Sequence, residues 1–417
     1  MVETMKKKLL VLIPILLLLL PTLLYAEEKV ILRVLMPIGG GYTEEAQMEL
    51  AREFMEKYPE VEVRMEFVGW AELWDKIISS IAAGEPPDVI YIGSRWIPAL
   101  ADMDAIIPLD DYITPEKYKM YPESVWNTVR YKGKIWGVVR AMSTKAMIYN
   151  AKLLEKYGIL KLPETWDELL EAVKRCHHPE EGVYGYLLAG ERFVSTVSQF
   201  QNFLYANGGL IVDPETGKAV INSVEGVEAL EFYAELAKYS QPNPIEWRRE
   251  ELIELFSAGK GCFYIDHVHN LLRAVKAGID ADAFPIPRGP HAKQPTACVF
   301  ITDSIAIPKL AKNKEWAWKF IEFMTSLEQQ TKFDLALGFV PPMLEERKLM
   351  FFQRWYWKPY IHMIDYGVPE AAGIKDWEAV QDVILTAIQK VLLGQATAKE
   401  ALDEAAARIN EIQGVTG

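Results

Sequence analysis

The segment "GCFYIDHVHNLLRAV" at residues 261–275 places an aspartate before a His-X-His pair, in a chain that has only six histidines. Such a pair binds one metal ion when both side chains share a face, as they do on a strand. An apolar run precedes Asp266 and helically spaced apolar residues follow it, so we predict that Asp266 caps a helix. Helix positions two apart point about 200° apart, so His267 and His269 are predicted not to chelate one ion. Two interpretations stay open: solvated imidazoles behind a capping aspartate, or contacts to ligand oxygens at the end of a strand.

Polar and aromatic side chains follow several other apolar runs. The segment "IGGGYTEE" places Gly39–Gly41 after the first run, where glycines allow a ligand to approach the backbone closely. Glu44 stands where the last glycine of a dinucleotide-binding fingerprint would fall, so we predict no nucleotide cofactor. The segment "GSRWIP" at 93–98 follows another run and supplies a serine, an arginine and a tryptophan.

These residue types suit a carbohydrate, because aromatic faces pack on sugar rings while aspartate, arginine and histidine bond to hydroxyl groups. The dense aromatic segment "FFQRWYWKPY" at 351–360 is more typical of a core, yet the interleaved Arg354 and Lys358 favour exposure of some of its rings. The predicted ligand-binding residues are Gly41, Tyr42, Ser94, Arg95, Trp96, Arg140, Asp266, His267, His269, Asp303, Trp355 and Trp357.

Catalytic signatures are missing from the sequence. It contains no G-x-S-x-G, no H-E-x-x-H and no P-loop, so we predict a protein that is not an enzyme and uses neither a metal nor another cofactor. Carboxylates are plentiful, and two of them could meet in a cleft. A secreted glycoside hydrolase or lyase with a two-carboxylate site is therefore the alternative function.

Charge and the first residues bear on location and partners. A formal net charge of −13 over 417 residues disfavours a nucleic-acid partner. The one dense basic run, Lys6–Lys8, opens an apolar segment that ends at Ala26. This order predicts a signal peptide over 1–26 and a periplasmic or other extracytoplasmic location. An uncleaved membrane anchor is the alternative, because residues 9–24 are long for a signal core but short for a full span. No cysteine follows the segment, so lipid attachment there is not predicted.

The three cysteines are Cys176, Cys262 and Cys298, an odd number without metal-ligand spacing. Cys262 and Cys298 fall in apolar runs that are typical of strands, which favours buried free thiols. A single bridge between these two residues in an oxidising compartment is the alternative.

The order of apolar patterns predicts the fold class. "KVILRVLMP", the alternating "VEVRMEF" and "PDVIYIG" are predicted strands separated by two amphipathic helices, which favours a right-handed parallel sheet. Near residue 140 a second α/β segment begins, with a capping box at Thr165 and Glu168. The last hundred residues are mostly helical and contain a second capping box, Thr397 with Glu400. We predict two discontinuous α/β lobes with a ligand at the carboxyl ends of their strands.

Several stretches resemble one family in their order and spacing. They include "FMEKYPEVEV", "SSIAAGEPPDVIYI", "LPETWDELLEAVKR", "LFSAGKGCFYI" and "LLGQATAKEALDEAAARINEI". From about residue 30 to 413 the chain resembles the extracellular solute-binding proteins of carbohydrate ABC transporters, family 1, the group of the maltose- and trehalose-binding proteins. The resemblance implies a type II periplasmic-binding-protein fold, with the ligand in the cleft between two hinged lobes. It implies a monomeric receptor that delivers a sugar or oligosaccharide to an ABC permease.

The resemblance also implies domain boundaries. The N-terminal lobe would comprise 27–140 and 289–312, and the C-terminal lobe 141–288 and 313–417. The three crossings would lie near Val139–Met142, Pro287–Pro290 and Leu310–Asn313.

The resemblance implies ligand contacts as well. The sugar would touch Gly41 and Tyr42, the segment from Ser94 to Trp96, and the segment from Asp266 to His269. In maltose-binding relatives a tryptophan stands at the position of His269, so a smaller or more polar ligand is expected here. An alternative ligand class is a uronate or a polyol phosphate.

That alternative depends on three cations, because arginine forks pair with carboxylate and phosphate groups. The cations are Arg95, Arg140 and Lys145. Ordinary surface salt bridges are the competing interpretation for all three.

Overall fold

The structure, a computed structural model, describes residues 29–38 and 43–415. The predictions for the signal peptide, Gly41 and Tyr42 lie outside the described residues. The strands of the described part are β1 (Val30–Ile38), β2 (Val61–Gly69), β3 (Val89–Gly93), β4 (Arg130–Tyr131), β5 (Lys134–Ile135), β6 (Val138–Ser143), β7 (Ala146–Asn150), β8 (Tyr184–Tyr186), β9 (Gly261–Asp266), β10 (Ala281–Phe284), β11 (Cys298–Ala306) and β12 (Gly367–Pro369).

The α-helices are more numerous than the strands. They are α1 (Glu44–Lys57), α2 (Leu73–Ala82), α3 (Ile97–Asp102), α4 (Pro115–Lys119), α5 (Glu123–Asn127), α6 (Ala151–Lys156), α7 (Trp166–Cys176), α8 (Val194–Ala206), α9 (Val224–Ala237), α10 (Arg249–Ser257), α11 (Val268–Lys276), α12 (Lys314–Met324), α13 (Leu327–Leu337), α14 (Lys358–His362), α15 (Trp377–Leu392) and α16 (Ala398–Gln413). Within the described ranges, none of these helices combines the length and apolarity needed to cross a bilayer.

The first sheet has the strand order β12-β11-β3-β1-β2, and β6 pairs with β11. Strand β1 is parallel to both β2 and β3, which confirms the parallel arrangement predicted for the first three strands. The inner part of β1 is almost continuously buried, as its unbroken apolar run requires. In β2 the alternation is visible at its start, where Val61 and Val63 are buried and Arg64 is exposed.

The second sheet has the order β10-β7-β9-β8. Strand β9 is parallel to β8, and β7 is antiparallel to both β9 and β10. Helix α7 begins with a complete capping box between Thr165 and Glu168, and α16 begins with one between Thr397 and Glu400. Both capping boxes are thus confirmed. The two sheets with their helices form two α/β lobes, as predicted.

Two strands connect the lobes side by side. Strand β6 pairs antiparallel with β11, and the chain then enters the second sheet at β7. At the start of β11, Cys298 and Val299 belong to the core of the second lobe, whereas Ile305 and Ala306 at its end belong to the core of the first. The passage therefore falls within β11, after the implied crossing at Pro287–Pro290.

Helices α12 and α13 lie on the first lobe, where both contact α1. Phe54 packs against Phe320 and Phe323 at 4.9 and 5.4 Å between ring centroids. The chain thus leaves the first lobe after α13, later than the implied crossing at Leu310–Asn313. As divisions into domains, the boundaries at 140, 288 and 312 stay predictions, and this packing favours later positions for the last two.

The cysteines are three buried free thiols, Cys176, Cys262 and Cys298. The Cys262 thiol lies 3.7 Å from the carbonyl oxygen of Cys176, and the Cys298 thiol lies 3.7 Å from that of Met363. Cys262 and Cys298 therefore have different neighbours in the structure.

Candidate ligand-binding cleft

A polar cavity of about 70 Å³ lies where the two lobes meet. It brings together four of the predicted residues, Arg95, Asp303, His267 and His269, with side chains from distant parts of the chain. The other lining residues are Trp70, Ser143, Val194, Ser195, Ser198, Arg249, Ile301, Phe339 and Glu370.

Arg95 is the cation between the lobes. It follows β3 in a short 3-10 helix, Ser94–Trp96, and its Nη1 lies 3.2 Å from Glu370 Oε2 and 3.9 Å from Asp303 Oδ1. All three side chains are almost completely buried. Asp303 pairs with Gly93 in the first sheet, so it belongs to the same rigid unit as Arg95, whereas Glu370 follows β12. A Cβ atom at Gly93 would lie 2.7 Å from Arg95 Nη1, so glycine leaves the room that the guanidinium occupies.

Burial raises the pKa of the Glu370 carboxyl group, and the nearby charge of Arg95 opposes that rise. The carboxylate thus depends on Arg95 for its charged form. The main-chain carbonyl oxygen of Glu370 accepts a 2.7 Å hydrogen bond from Gln201 Nε2 on α8, so the Arg95–Glu370 ion pair joins the first lobe to a helix of the second.

Tryptophan rings surround the guanidinium of Arg95. Its Cζ lies 5.4 Å from the ring centroid of Trp70 and 4.9 Å from that of Trp96, both within cation–π distance. Trp70 and Trp96 stack at 5.7 Å and 19°, and Trp74 packs against Trp96 at 5.3 Å. These rings, with Phe193, line a second cavity of about 290 Å³ that also touches Arg95.

Trp96 links the lobes directly. Its indole Nε1 donates a 2.7 Å hydrogen bond to Glu378 Oε1 on α15. Ser94 is buried, and its hydroxyl lies 2.6 Å from that of Ser304 on β11. Ser94 therefore ties the loop after β3 to the crossing strand.

Asp266 is the last residue of β9, not the N-cap as predicted, because α11 begins at Val268 with His267 in the cap position. Its carboxylate accepts hydrogen bonds from the Tyr264 hydroxyl, from the His267 N–H at 2.8 Å and from Asn270 Nδ2 at 2.6 Å. Lys145 Nζ lies 3.7 Å away. Burial raises the pKa of Asp266, but the charges of Lys145 and Arg249 outweigh burial and hold it below its usual value. Asp266 is fully buried and anchors the segment that carries the histidines.

The two imidazoles lie together, with ring centroids 5.2 Å apart and planes at 20°. The prediction that they point apart is wrong, because His267 precedes the helix in an extended conformation (φ −80°, ψ 159°). Within the described part of the chain, Nδ1 of each ring is buried without a hydrogen-bond partner, and so is the hydroxyl of Ser198. Burial lowers the pKa of His267 well below its usual value and that of His269 to about 4, so both rings are neutral.

In the described part of the chain the two histidines do not form a group of three possible metal ligands, although Asp266 Oδ1 lies 4.0 Å from His267 Nε2. Within residues 29–38 and 43–415, the only group of three possible ligands is His178, Glu180 and Glu181, which lies at the surface.

Arg140 does not reach the cleft, which corrects its assignment to the site. It is fully buried inside the first lobe, and its guanidinium lies 3.8 Å from the ring centroid of Phe333. Its Nη1 donates hydrogen bonds to the Met324 carbonyl oxygen at 2.5 Å and to Gln330 Oε1 at 3.1 Å. Arg140 therefore fastens β6 to α12 and α13.

The aromatic segment also lies away from the polar cavity. Trp357 is buried against Phe352 at 5.1 Å, and Trp355 is 47% exposed. Neither residue lines a described cavity between the lobes. The preference of aromatic residues for the interior explains the burial of Trp357.

Several functional side chains were missed by sequence reasoning, and the structure brings them to the cleft: Trp70, Trp74, Ser198, Arg249, Glu370 and Glu378. Trp70 had a usable signal, because it follows the alternating strand β2 at its carboxyl end. Glu370 had none, because it follows a three-residue strand that no apolar pattern marks.

A larger cavity of about 570 Å³ also touches the Arg95–Glu370 pair. Loops of both lobes line it, including residues 127–132 of the first lobe and 214–217 of the second. It contains Ser94 and Arg95 from the predicted set, but no tryptophan.

Two α/β lobes, connected by paired strands and separated by a polar and aromatic cleft, define a two-lobed ligand-binding protein. The chain belongs to the family of bacterial extracellular solute-binding proteins, which it matches over residues 40–331.

Relatives and solved structures agree with that family. A putative binding protein of Brucella abortus is 28% identical over 385 residues, covering 89% of this chain and 90% of the relative. The maltotriose-binding protein of Pyrococcus abyssi is 28% identical over 306 residues, covering 71% and 63%. A solute-binding protein of an ABC transporter from Thermotoga lettingae, bound with α-D-tagatose, is 26% identical with a TM-score of 0.84, covering 93% of this chain and 100% of the other. Maltose-bound MalE3 of T. maritima is 25% identical with a TM-score of 0.82, covering 92% and 100%.

Proposed function

We propose that this protein is an extracytoplasmic receptor that encloses a neutral carbohydrate between its lobes and delivers it to an ABC permease. The observation that carries the proposal is the junction at Arg95, where the tryptophan-lined cavity meets the polar one. A sugar needs both surfaces, since its ring faces pack on aromatic rings and its hydroxyls require hydrogen-bond partners. The relatives named for maltotriose, tagatose and maltose support this ligand class.

The unpartnered polar atoms of the cleft support binding of hydroxyl groups. Ser198 Oγ and the Nδ1 atoms of His267 and His269 are buried without a hydrogen bond in the described part of the chain. Leaving such atoms unpaired costs about 1–3 kcal/mol each, so a ligand that bonds to them gains that free energy. Neutral imidazoles can donate or accept a hydrogen bond, which suits hydroxyl groups of either role.

Charge balance favours a neutral sugar over a uronate or a polyol phosphate. Arg95 faces Glu370 and Asp303, and Lys145 faces Asp266. Arg140, the third cation on which an anionic ligand would depend, is buried away from the cleft. An anion would therefore have to displace a carboxylate that is already in place.

The size of the polar cavity supports capture by lobe closure. A volume of about 70 Å³ has room for about two water molecules, and sugars are larger. A sugar therefore needs a wider cleft than this arrangement offers, which requires the lobes to move apart to admit it. The contacts from Arg95 to Glu370 and from Trp96 to Glu378 form in the closed arrangement.

The receptor does not break bonds in this proposal. Asp303 and Glu370 are the two carboxylates nearest to each other in the polar cavity, and both face the same guanidinium. A two-carboxylate hydrolase needs two carboxyl groups that are available to the bond that it breaks, whereas here one guanidinium, that of Arg95, lies 3.2 Å from Glu370 and 3.9 Å from Asp303.

The proposal extends to export and assembly. Residues 1–26 act as a signal peptide, or alternatively as an anchor, and the receptor works as a monomer. The location rests on the sequence of residues 1–26 and on the extracellular character of the family, and the monomeric state rests on the family resemblance alone.

A thermal-shift screen tests the proposed function. The protein is heated with neutral mono- and oligosaccharides, with uronates and with polyol phosphates, and a ligand that binds the folded state raises the melting temperature. We expect a neutral sugar to give the largest shift and to be recovered intact. Trp70→Ala should abolish the shift, whereas the matched variant Trp355→Ala should keep it. A largest shift with a uronate or phosphate, or a chemically changed sugar, would overturn the proposal.

A further inference from the structure

The segment between α13 and α14 carries an exposed apolar surface on the outside of the molecule. Its exposed large apolar side chains are Leu344, Met350, Phe351 and Trp355, and they fall within twelve residues. Met350 is 74% exposed, which is extreme for a residue of this type. Clustered apolar exposure of this kind marks an interaction surface more often than single exposed residues do.

The surface rests on a well-packed base. Phe352 and Trp357 point inward and pack against each other, and both are buried. Arg347 donates hydrogen bonds to the carbonyl oxygens of Pro341 and Pro342, and Gln353 donates one to that of Arg347. The exposed side chains are therefore held outward by a fixed backbone, in two consecutive 3-10 helices, Met350–Gln353 and Trp355–Trp357.

The charges of this segment differ in sign from those of the whole protein. Its exposed charged residues are the cations Lys348, Arg354 and Lys358 and the carboxylate Glu345, which pairs with Lys348 at 2.6 Å, so the exposed charges sum to +2. The chain as a whole has a net charge of −13. At physiological ionic strength charges more than about 8 Å away are largely screened, so a surface that approaches this segment responds to the local cations.

We propose that this basic–aromatic strip, residues 344–358, docks the receptor on an anionic lipid surface. Tryptophan and phenylalanine enter the headgroup region of a bilayer, while lysine and arginine pair with anionic headgroups. The strip carries both components within fifteen consecutive residues. It lines neither the polar cavity nor the tryptophan-lined cavity, so docking leaves the proposed sugar site unobstructed.

Hydroxyl-radical footprinting of the full chain tests the proposal, with vesicles of phosphatidylcholine alone or with added phosphatidylglycerol. We expect the anionic vesicles to lower the oxidation rate of Met350 by about threefold or more, because insertion among headgroups excludes water. Met103, which is 51% exposed on the first lobe, is the internal control and should keep its rate. The comparison within one chain separates the strip from any membrane contact of residues 1–28.

Two variants sharpen the test. Replacing Lys348, Arg354 and Lys358 together with Glu should remove the protection of Met350, while Lys319→Glu, a surface charge change on α12, should leave it. Equal protection by neutral vesicles, or no protection by either kind, would overturn the proposal. Protection that grows with protein concentration without vesicles would also overturn it, by identifying the strip as a contact between copies of the chain.

Discussion

Arg95 and Arg140 are both buried arginines beside the strands that connect the lobes, and they have opposite roles. Arg95 borders three cavities and faces one carboxylate of its own sheet and one beyond β12. Arg140 borders none of the described cavities between the lobes, and its hydrogen bonds go to α12 and α13 of the lobe on which it lies. From this difference we expect Arg95 to affect ligand binding and Arg140 to affect stability.

The largest expected effect is on stability at Arg140. Arg140→Met leaves Gln330 and the Met324 carbonyl oxygen without their cationic donor. We expect a loss of about 3 kcal/mol or more in the free energy of unfolding, measured in urea, because the buried polar groups stay unpaired. The folded fraction should bind the sugar with unchanged affinity. Normal stability together with lost sugar binding in Arg140→Met would contradict a purely stabilising role of Arg140.

Arg95 should show the reverse pattern. Arg95→Met removes the cation between Asp303 and Glu370, so the two carboxylates repel each other whenever the lobes close. We expect sugar affinity, measured by calorimetry, to fall about 100-fold. Stability should change by less than about 1.5 kcal/mol, since the carboxylates regain water in the open form. A stability loss as large as that of Arg140→Met would contradict the expectation that Arg95 and Glu370 move apart when the lobes open.

The histidine pair predicts the pH dependence of binding. In the closed form the pKa of His269 is about 4 and that of His267 is well below its usual value, whereas exposed imidazoles titrate near 6.5. Groups with a lowered pKa in the closed form favour closure above about pH 6.5, and that contribution is lost as the pH falls toward 4. We expect about 30-fold weaker sugar binding at pH 5 than at pH 7.5 for one such imidazole.

The charged groups around the two histidines also affect the pH dependence of binding, so the prediction needs a control variant. Lys145 and Arg249 oppose protonation of the histidines, and Asp266 favours it for His269. Glu370 acts in the other direction, because its raised pKa makes closure easier as the pH falls. The double variant His267→Gln/His269→Gln should therefore show a flat or reversed slope. An unchanged dependence of sugar affinity on pH in that variant would show that the two histidines do not cause it.

The smallest expected effect is at Trp96. Trp96→Phe keeps an aromatic ring beside Trp70 and removes the hydrogen bond from the indole to Glu378. We expect affinity to fall about 3- to 10-fold, which corresponds to the net contribution of about 1 kcal/mol that one hydrogen bond makes. Glu378→Leu is the matched variant, because it removes the acceptor of the same hydrogen bond, and it should lose a similar amount. A 100-fold loss in either variant would place the main closing contact at this bond rather than at Arg95.

Much of the fold could be predicted from the sequence, because its elements leave local patterns. The alternation in β2, the unbroken apolar run of β1 and the capping boxes at Thr165 and Thr397 are all local signals. The later crossings could not be placed in this way, since the position of α12 and α13 depends on their packing against Phe54, far away in the chain.

The candidate site was only partly predictable, for three physical reasons. The sequence does not show how deeply a side chain is buried. Arg140 was therefore assigned to the cleft although it is buried in the first lobe. A helix that begins one or two residues later than expected reverses the orientation of a neighbouring side chain, as it did for His267. The partner of a cleft residue can come from anywhere in the chain, and Glu370 lies 275 positions from Arg95.

The most direct test of capture between the lobes is small-angle X-ray scattering of the protein with and without a saturating sugar found in the thermal screen. We expect a smaller radius of gyration with the sugar, and little change for Arg95→Met at the same sugar concentration. Identical scattering of the wild-type protein with and without a sugar that binds tightly would contradict it.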